Sequence, residues 1–505
     1  MKRSKAIFYN LILLTFVTLG MRFVSLGFNV YITGKLGAQG VGLYSLIMSV
    51  GGFAVTFATS GVNLGSSMLT AQALGRGSEA DVRRAMIRCI AYSLFFGLTG
   101  CAAMYALASP ISIHILGDRR CILPLKILSF ALPFISLSSA LSGYFTAVRR
   151  VFKNAAVQVC QQLFNILLTV RFIALLLPKG LEYACVAVIL GSAVSEAFAF
   201  LCSFTVWRVD LHKHNKNKGE KENCLGKKLL SISLPVALSA YVRSGLVSVE
   251  HILIPKGLKK YGAGNSAALA SYGVLHGMAM PIVLFPMALI SAFAGLLVPE
   301  IAGSVAAGEN KRIENIVSRS LRLTLLFGVG CAGVLAAFGN TLGIMIYKDA
   351  NAGTFIRIMA PLIPVMYFDH IVDGMLKGLG EQLYSMRVNI FDAFMSVVLV
   401  YFLVPEWGIF GYAFIIYAME IVNTALSVTR LVQRCDVKLS ILNWVVKPLA
   451  SIIAASSLEK IISRLLPVSN TVVSICITLI LYILFLRISS SFDNSDIMWF
   501  KNAIK

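Results

Sequence analysis

Charged residues are scarce in this chain. Only 13% of its 505 residues are Asp, Glu, Lys or Arg, whereas 57% are hydrophobic. The mean hydropathy is +0.80. This balance excludes a soluble globular domain and a disordered chain, because neither carries so much apolar side chain. Acidic residues are the rarer kind, with 23 against 45 basic residues.

Several chemical motifs are also missing. The ten cysteines are scattered singly and form no CxxC pair, which argues against a disulfide framework or a zinc site. The chain has no glycine-rich phosphate loop of the Walker type and no Ser, His and Asp constellation. We therefore predict that the protein is not an enzyme, uses no ATP directly and needs no cofactor apart from a coupling ion.

Long apolar runs are what the sequence does contain. A helix needs roughly 20 apolar residues to cross the hydrocarbon core, and about fourteen such runs occur, separated by short polar turns. They lack the alternation of membrane strands. The pattern predicts an all-α polytopic membrane protein. The first run is too long for a signal peptide and carries Arg22, so we interpret it as a retained first helix.

The basic residues cluster in alternate loops, so that the net charge of +22 reports topology. By the positive-inside rule these loops are cytoplasmic, which predicts that both termini lie in the cytoplasm. The charge indicates contact with anionic membrane lipids and gives no reason to expect nucleic acid. One outer loop does not fit, because it holds Lys256, Lys259 and Lys260.

Residues of the first half recur in the second half at a constant offset of 231 positions. The matched pairs are Gly77 and Gly308, Arg88 and Arg319, Gly97 and Gly328, Lys126 and Arg357, Pro133 and Pro364, and Gly143 and Gly374. The repeat predicts two pseudo-symmetric six-helix lobes with a cavity between them at the midplane. The predicted division is an N-lobe at 1–208, a cytoplasmic linker at 209–228, a C-lobe at 229–435, and a final helix pair with a tail at 436–505.

Two arginines stand within apolar helices at matching places. Arg22 and Arg243 align at an offset of 221, as do Asn29 and Glu250 seven residues later. Residues at this spacing share one helix face, and so does Ser25. An intramembrane charge is costly wherever it faces lipid, so these faces are expected to line a polar cavity.

The predicted substrate-binding residues are those of the two polar faces with one neighbouring lysine: Arg22, Ser25, Asn29, Lys35, Arg243 and Glu250. A structural bridge from Arg243 to Glu250 or to a helix carbonyl is the alternative.

Four acidic residues in the second half form a second candidate set: Asp369, Asp373, Asp392 and Glu420. Carboxylates at membrane depth bind sodium or carry protons, and we predict a coupling sodium or proton here. Neutralisation of a nearby arginine is the alternative. The histidines His251, His276 and His370 are isolated in the sequence, and we interpret them as packed polar side chains.

Four stretches of the chain resemble a known family. Residues 34–46 read GKLGAQGVGLYSL, and further matches are LSGYF at 141–145, GLEYA at 180–184 and IMAP at 358–361. They resemble the oligosaccharide-flippase branch of the multidrug/oligosaccharidyl-lipid/polysaccharide (MOP) exporter superfamily, close to the MurJ-type lipid II flippases. The similarity extends over nearly the whole chain.

The resemblance implies a MATE-like fold of fourteen helices, with two lobes around a central cavity and the last helix pair lining a groove for a lipid tail. It implies a monomer in the bacterial plasma membrane that flips an undecaprenyl-pyrophosphate-linked saccharide by alternating access. Lipid II, the peptidoglycan precursor, is the expected cargo, with use in the spore cortex. Arg22 and Arg243 would bind the pyrophosphate, because a guanidinium offers planar bidentate donors. Relatives carry more basic residues on the first helix, where this chain has Asn29 and Gly34.

Other functions stay open at the level of sequence. A drug/cation antiporter of the same superfamily would favour an acidic and aromatic cavity. A teichoic-acid or capsular polysaccharide-lipid flippase would have a basic cavity, as a lipid II flippase would. A membrane glycan polymerase or ligase would need a large outer loop with catalytic residues, and the outer loops here are short. A scaffold in a spore-coat or division complex is a further alternative.

Overall fold

The computed structural model describes residues 2–75, 79–148, 150–212, 225–435, 440, 442–465 and 470–492. Within these ranges the chain is helical and has no strand, which confirms the all-α prediction. The helices are α1 (Lys2–Thr59), α2 (Val62–Gly75), α3 (Glu79–Pro110), α4 (Ile122–Ala147), α5 (Val151–Leu176), α6 (Leu181–His212), α7 (Leu225–Lys260), α8 (Asn265–Gly273), α9 (Met280–Leu284), α10 (Met287–Ala306), α11 (Asn310–Tyr347), α12 (Ala350–Met359), α13 (Ile363–Gly378), α14 (Gln382–Arg434), α15 (Lys447–Leu465) and α16 (Thr471–Ile488).

Short helical turns of other types join some of these helices. Wider π-type turns occur at Ile111–Leu116, Val274–Ala279 and Leu442–Val446. Tighter 3₁₀ turns occur at Arg119–Cys121, Leu177–Lys179 and Ala360–Leu362.

Twelve stretches of the described chain are long and apolar enough to cross a membrane. Two of them exceed one crossing, because α1 has 58 residues and α14 has 53. Each is two helices joined at a kink, where Gly37 and Gly408 have φ angles of 66° and 61°. A side chain would be strained at such an angle, so glycine sets both kinks. The interruption between α9 and α10 divides another predicted crossing into two stretches. The structure is thus consistent with about fourteen crossings.

Two large buried clusters form the interior. The larger one draws on residues between 254 and 444, and the second on residues between 32 and 189 together with Leu269. Helix α1 packs against α3, α4 and α6 of the first half and against α7 and α8 of the second. Helices α1 and α7 therefore lie where the halves meet. The lobe boundaries remain a prediction, and residues 213–224 of the predicted linker lie outside the described residues.

Two of the three lysines that did not fit the charge pattern have partners. The Lys259 ammonium lies near the Gly117 turn and interacts with the Asp118 carboxylate. The Lys260 ammonium lies 5.5 Å from the ring centroid of Tyr401. Local compensation by an acid and an aromatic ring explains how the outer turns tolerate these cations.

The internal repeat is visible as one repeated contact. A Cβ atom on Gly97 would lie 2.8 Å from the Cα of Pro133, and one on Gly328 would lie 2.9 Å from the Cα of Pro364. These are two of the pairs matched at the offset of 231. Helix α3 thus approaches α4 in the same way that α11 approaches α13, and only glycine permits that distance.

We expect the substitutions Gly97→Ala and Gly328→Ala to lower the melting temperature of the purified protein in detergent. Forcing a methyl group against a neighbouring backbone costs about 1–3 kcal/mol. This exceeds the roughly 1 kcal/mol that alanine gains over glycine in a helix. Gly52→Ala and Gly295→Ala are matched controls, since nothing lies within 4 Å of a Cβ atom there. Equal melting temperatures for all four variants would contradict the repeated contact.

Each half also contains an ion cluster that ties a turn to the end of a helix. In the first half, Asp210 near the end of α6 pairs with Arg150 at 2.5 Å and with Lys153. In the second half, Glu381 in the turn before α14 pairs with Arg430 at 2.8 Å and with Arg434. Arg150 and Glu381 are equivalent at the repeat offset of 231. These two clusters, termed the latch pairs, therefore join equivalent elements. The turn carries the basic residues in the first half and the acidic residue in the second half.

The C-half latch pair should make stability depend on pH. Hydrogen bonds from Arg430, together with the charge of Arg434, lower the pKa of Glu381. A carboxyl group whose folded-state pKa is lowered stabilises the fold above its unfolded pKa, and this stabilisation is lost as the pH falls through the folded value. We expect Glu381→Gln to melt earlier than the unmodified protein at neutral pH, with a difference that shrinks on acidification.

The control for this pH dependence is Glu309→Gln. Glu309 pairs with Arg312 at 3.0 Å, but both side chains are exposed. Exposed pairs contribute little, so this variant should melt like the unmodified protein at every pH. A difference between Glu381→Gln and the unmodified protein that grows on acidification would contradict the stabilising role of the ionised Glu381 carboxylate.

Candidate functional site

Arg22 and Arg243 lie on α1 and α7, two helices that contact each other. Arg22 precedes the Gly37 kink of α1 by about 22 Å of helix, and Arg243 precedes the end of α7 by about 26 Å. Both side chains are exposed. Helices α1 and α7 pack together at the boundary between the halves. The hydrogen bonds between α1 and α7 lie in the part of α1 after the Gly37 kink, whereas Arg22 lies in the part before it.

The two arginines differ in their partners. Arg22 forms no hydrogen bond or ion pair with the part of the chain that the structure describes, and the neighbouring Phe23 packs edge-on against Phe285 at 4.6 Å. Arg243 interacts electrostatically with Asp392 on α14. Among the residues that the structure describes, none occupies the donors of Arg22, whereas Arg243 has a nearby carboxylate.

The other predicted residues of α1 are spread along the helix. Ser25 lies one turn after Arg22 and is half-buried. The hydroxyl of Tyr347, at the end of α11, donates to Oδ1 of Asn29 over 3.4 Å. The ammonium of Lys35 lies 5.9 Å from the ring centroid of Tyr31. Asn29 is thus engaged by the second half, whereas Arg22 and Ser25 form one accessible polar turn.

Hydrogen bonds fix α7 against the part of α1 that follows its kink. Ser248 donates from Oγ to the carbonyl of Ser49 over 2.7 Å. Thr56 donates from its hydroxyl to Ser244 Oγ over 3.2 Å. Both contacts cross between the halves, and Ser244 directly follows Arg243. The part of α7 that carries Arg243 is therefore held beside the first half.

The structure brings most of the predicted acidic residues together. Asp392 and Glu420 on α14 interact electrostatically with each other and with Asp369 on α13. Glu250 on α7 interacts with Asp392 as well. Nδ2 of Asn423 donates to Oδ2 of Asp369 over 3.0 Å. Several carboxylates at membrane depth repel one another, and a bound cation or proton relieves that repulsion.

Asp373 has a different environment. It accepts a hydrogen bond from Ser385 and pairs with Lys377 at 2.6 Å, so its charge is already compensated. No three His, Cys, Asp or Glu side chains within the described ranges are arranged to hold a metal ion. The acidic set therefore lacks a preformed metal cage in this arrangement.

Sequence reasoning missed a cluster of histidine and tyrosine side chains beside Glu250. Nε2 of His276 lies 2.8 Å from the hydroxyl of Tyr412, which is hydrogen-bonded to Glu250. Nδ1 of His251 lies 2.8 Å from the hydroxyl of Tyr272, and the two imidazole rings are 4.4 Å apart. The histidines are packed polar side chains, as predicted, but they form one cluster. The partners are 21 and 136 residues apart in the sequence, so no local pattern could reveal them.

A second polar pair that the sequence did not reveal lies in the first half. Nε2 of Gln161 on α5 donates to Oε1 of Glu196 on α6 over 2.7 Å. Gln161 is equivalent to Asp392 at the repeat offset of 231. A neutral amide thus replaces a carboxylate in the first half. The acidic set has no equivalent there, which makes the candidate ion site a feature of the second half.

Comparison with known proteins identifies the family of the chain. The model of the family described as polysaccharide biosynthesis protein matches residues 7–305, and the MatE model matches residues 261–402. Stage V sporulation protein B of Bacillus subtilis (strain 168) is 27% identical over 421 residues, which cover 82% of this chain and 81% of that protein.

Solved structures show the same fold at low identity. The lipid II flippase MurJ in an inward closed conformation has a TM-score of 0.69 at 13% identity, covering 94% of this chain and 98% of MurJ. An inward-facing multidrug resistance transporter of the MATE family has a TM-score of 0.64 at 14% identity, covering 83% of this chain and 98% of the transporter. These likenesses confirm the MATE-like fold. Together with the family match over more than half of its length, they show that the chain is a multi-pass membrane protein of the polysaccharide biosynthesis protein family.

Proposed function

We propose that the protein is a flippase that moves a polyprenyl-pyrophosphate-linked saccharide across the bacterial plasma membrane by alternating access. Both termini would face the cytoplasm, and the protein would act as a monomer within the membrane lipids. Lipid II is the cargo we favour, with use in the spore cortex. A curated relative is a sporulation protein, and a structural neighbour is a lipid II flippase.

The observation that carries this proposal is the guanidinium group of Arg22, which lies within an apolar helix and pairs with no residue in the described part of the chain. A buried or lipid-facing cation without a counterion is costly, so its position indicates a ligand that supplies the negative charge. A pyrophosphate group supplies two or more charges and oxygen acceptors that match a planar guanidinium. Ser25, one turn away, adds a hydroxyl donor on the same side of α1.

Arg243 on α7 supplies the second cation. Asp392 neutralises part of its charge. A pyrophosphate approaching Arg22 would compete with this carboxylate for the guanidinium group. Cargo binding and the charge of the acidic set are thereby linked, which is how a coupling sodium or proton at Asp392, Glu420 and Asp369 would drive the cycle.

The principal rival is a drug/cation antiporter. The MatE match over residues 261–402 and the acidic set of α13 and α14 favour it, because acidic cavities bind cationic drugs. The sign of the charge on the cargo distinguishes the two functions. A flippase for teichoic-acid or capsular saccharide-lipids would also use the arginines, so only a comparison among anionic cargoes separates it from a lipid II flippase.

The test is binding of purified protein in detergent to lipid II, to another polyprenyl-pyrophosphate-linked glycan and to a cationic dye. We expect Arg22→Ala to weaken lipid II binding by about 10-fold to 100-fold, since a hydrogen bond to a charged group contributes about 1.5–3 kcal/mol. The lipid II affinity of Arg22→Lys should lie between those of Arg22→Ala and the unmodified protein, because lysine keeps the charge and loses the bidentate geometry.

Arg171→Ala is the matched control, since Arg171 is an exposed arginine on α5, away from α7. It should bind lipid II like the unmodified protein. Equal losses in Arg22→Ala and Arg171→Ala would refute the site. Tighter binding of the cationic dye than of either glycan would favour the antiporter. Equal binding of the two glycans would support a polyprenyl-pyrophosphate-linked cargo but would contradict a preference for lipid II.

The role of Arg243 can be tested with a double variant. If Arg243 only neutralises Asp392, then Arg243→Ala lowers the affinity for lipid II because it leaves the Asp392 carboxylate without a counterion. The double variant Arg243→Ala with Asp392→Asn should then recover the affinity of the unmodified protein. If Arg243 binds pyrophosphate, the double variant stays at the level of Arg243→Ala. We expect no recovery, measured as lipid II affinity in the same assay.

A further inference from the structure

Helix α5 carries polar side chains along one face. Its amide and hydroxyl residues follow the helical repeat and are Asn154, Gln158, Gln161, Gln162, Asn165 and Thr169. At 3.6 residues per turn they all lie within an arc of about 100°. On the opposite face, Phe152, Leu163 and Leu167 are 59%, 54% and 67% exposed. Because α5 is apolar enough to cross a membrane, this exposed face contacts lipid and the polar face points into the first half.

Helices α4 and α6 lie against the polar face of α5. Nδ2 of Asn154 donates to Oγ of Ser142 on α4 over 2.9 Å. Nε2 of Gln161 donates to Oε1 of Glu196 on α6 over 2.7 Å. These two bonds fix the rotation of α5, because they join the same face to both neighbouring helices.

Three polar groups of this region have no partner in the described part of the chain. Gln158 is exposed and Gln162 is half-buried, and neither carboxamide forms a hydrogen bond there. Oγ of Ser138 is buried and has no hydrogen-bond partner either. The bond from Asn154 to α4 sets the level, and Ser138 and Gln158 both lie one turn beyond it on antiparallel helices. Polar groups that face away from lipid and bind no protein group are available to water or to a ligand.

An aromatic pair lies beside these groups. Phe134 precedes Ser138 by one turn on α4, and Phe200 follows Glu196 by one turn on α6. The two ring centroids are 6.1 Å apart, and both side chains are half-buried. The first half therefore combines unbonded amide and hydroxyl groups with aromatic surface, which is typical of sites for small polar ligands.

The internal repeat shows that this face is neutral where its counterpart is acidic. At the offset of 231, Gln161 and Gln162 correspond to Asp392 and Ala393 on α14. A carboxamide offers no net charge to a cation or to a pyrophosphate. It suits the uncharged part of a ligand, because a neutral polar pair avoids the cost of desolvating a charge.

The chemistry of a carboxamide indicates what that uncharged part is. Each carboxamide presents two N–H donors and one carbonyl acceptor in a plane, and a serine hydroxyl both donates and accepts. Sugar hydroxyl and acetamido groups likewise donate and accept, and the C–H face of a sugar ring packs on an aromatic ring. We propose that Gln158, Gln162 and Ser138 bind the saccharide of the cargo through its hydroxyl and acetamido groups.

This inference rests on the proposed function, since it assigns the saccharide of the same cargo whose pyrophosphate is assigned to Arg22. Helix α1, which carries Arg22, contacts α5. Phe28 and Tyr31 of α1 pack in the same buried cluster as Phe172 and Ile173 of α5. The two parts of the cargo are thus assigned to neighbouring helices.

The experiment compares three probes in equilibrium binding to purified protein in detergent. They are lipid II, a polyprenyl pyrophosphate without sugar, and the free disaccharide N,N′-diacetylchitobiose, which carries hydroxyl and acetamido groups. We expect the double variant Gln158→Ala with Gln162→Ala to bind lipid II about 10-fold more weakly, the loss of two ordinary hydrogen bonds. Its affinity for the sugar-free lipid should equal that of the unmodified protein, and its binding of the disaccharide should fall.

Thermal melting without cargo separates ligand binding from a structural role. Gln158 and Gln162 bond to no group in the described part of the chain, so the double variant should melt like the unmodified protein. Asn154→Ala should melt earlier, because it leaves Ser142 without its partner. Gln382→Ala is the matched control, since Gln382 is an exposed glutamine at the start of α14, and it should change neither melting nor binding.

Equal losses for lipid II and for the sugar-free lipid in the double variant would overturn the saccharide assignment. So would unchanged binding of lipid II, and in both cases the polyprenyl-pyrophosphate cargo would stand. If the unmodified protein binds neither lipid but binds the disaccharide through Gln158 and Gln162, the pyrophosphate site fails and the saccharide assignment stands.

Discussion

A charged side chain at membrane depth needs a partner, and that requirement shapes the interior of this protein. The Arg243 guanidinium group interacts with Asp392, and the Glu250 carboxylate is hydrogen-bonded to Tyr412. Both of these partnerships join different helices, so these polar groups also influence which helices lie side by side. Arg22 stands apart from this scheme, because no residue in the described part of the chain compensates its charge.

Close backbone approach is the second organising feature. Glycines allow α3 to meet α4, and α11 to meet α13, at distances that a side chain would prevent. Helices α1 and α8 approach each other between the halves by the same means, since a Cβ atom on Gly273 would lie 2.2 Å from the carbonyl oxygen of Ala38. In a membrane, helices gain little from hydrophobic association, and van der Waals packing between small residues replaces it. Close contacts within each half and between the halves are typical of proteins whose halves move as rigid units.

Much of the fold could be predicted from the sequence because its determinants are local. Length and hydropathy predicted the crossings, and the offset that matched Gly97 with Gly328 identified contacts that the structure repeats. The grouping of Asp369, Asp392 and Glu420 was also foreseen as a set of carboxylates in one half. Other features could not be foreseen, because they depend on helix rotation and on distant partners. His276 meets Tyr412 from 136 residues away, and neither residue is unusual in its own helix.

The exchanged charges of the latch pairs disfavour an exchange of the last helices between the two halves. Asp210 ties α6 to a basic turn, whereas Glu381 ties an acidic turn to the basic end of α14. If the last helix of each half took the place of its counterpart, Asp210 would meet Glu381, and Arg430 would meet Arg150. Like charges would then face each other at both junctions, which disfavours that arrangement. Two halves with a common architecture can therefore fold within one chain, or meet in two copies of the chain, without exchanging their last helices.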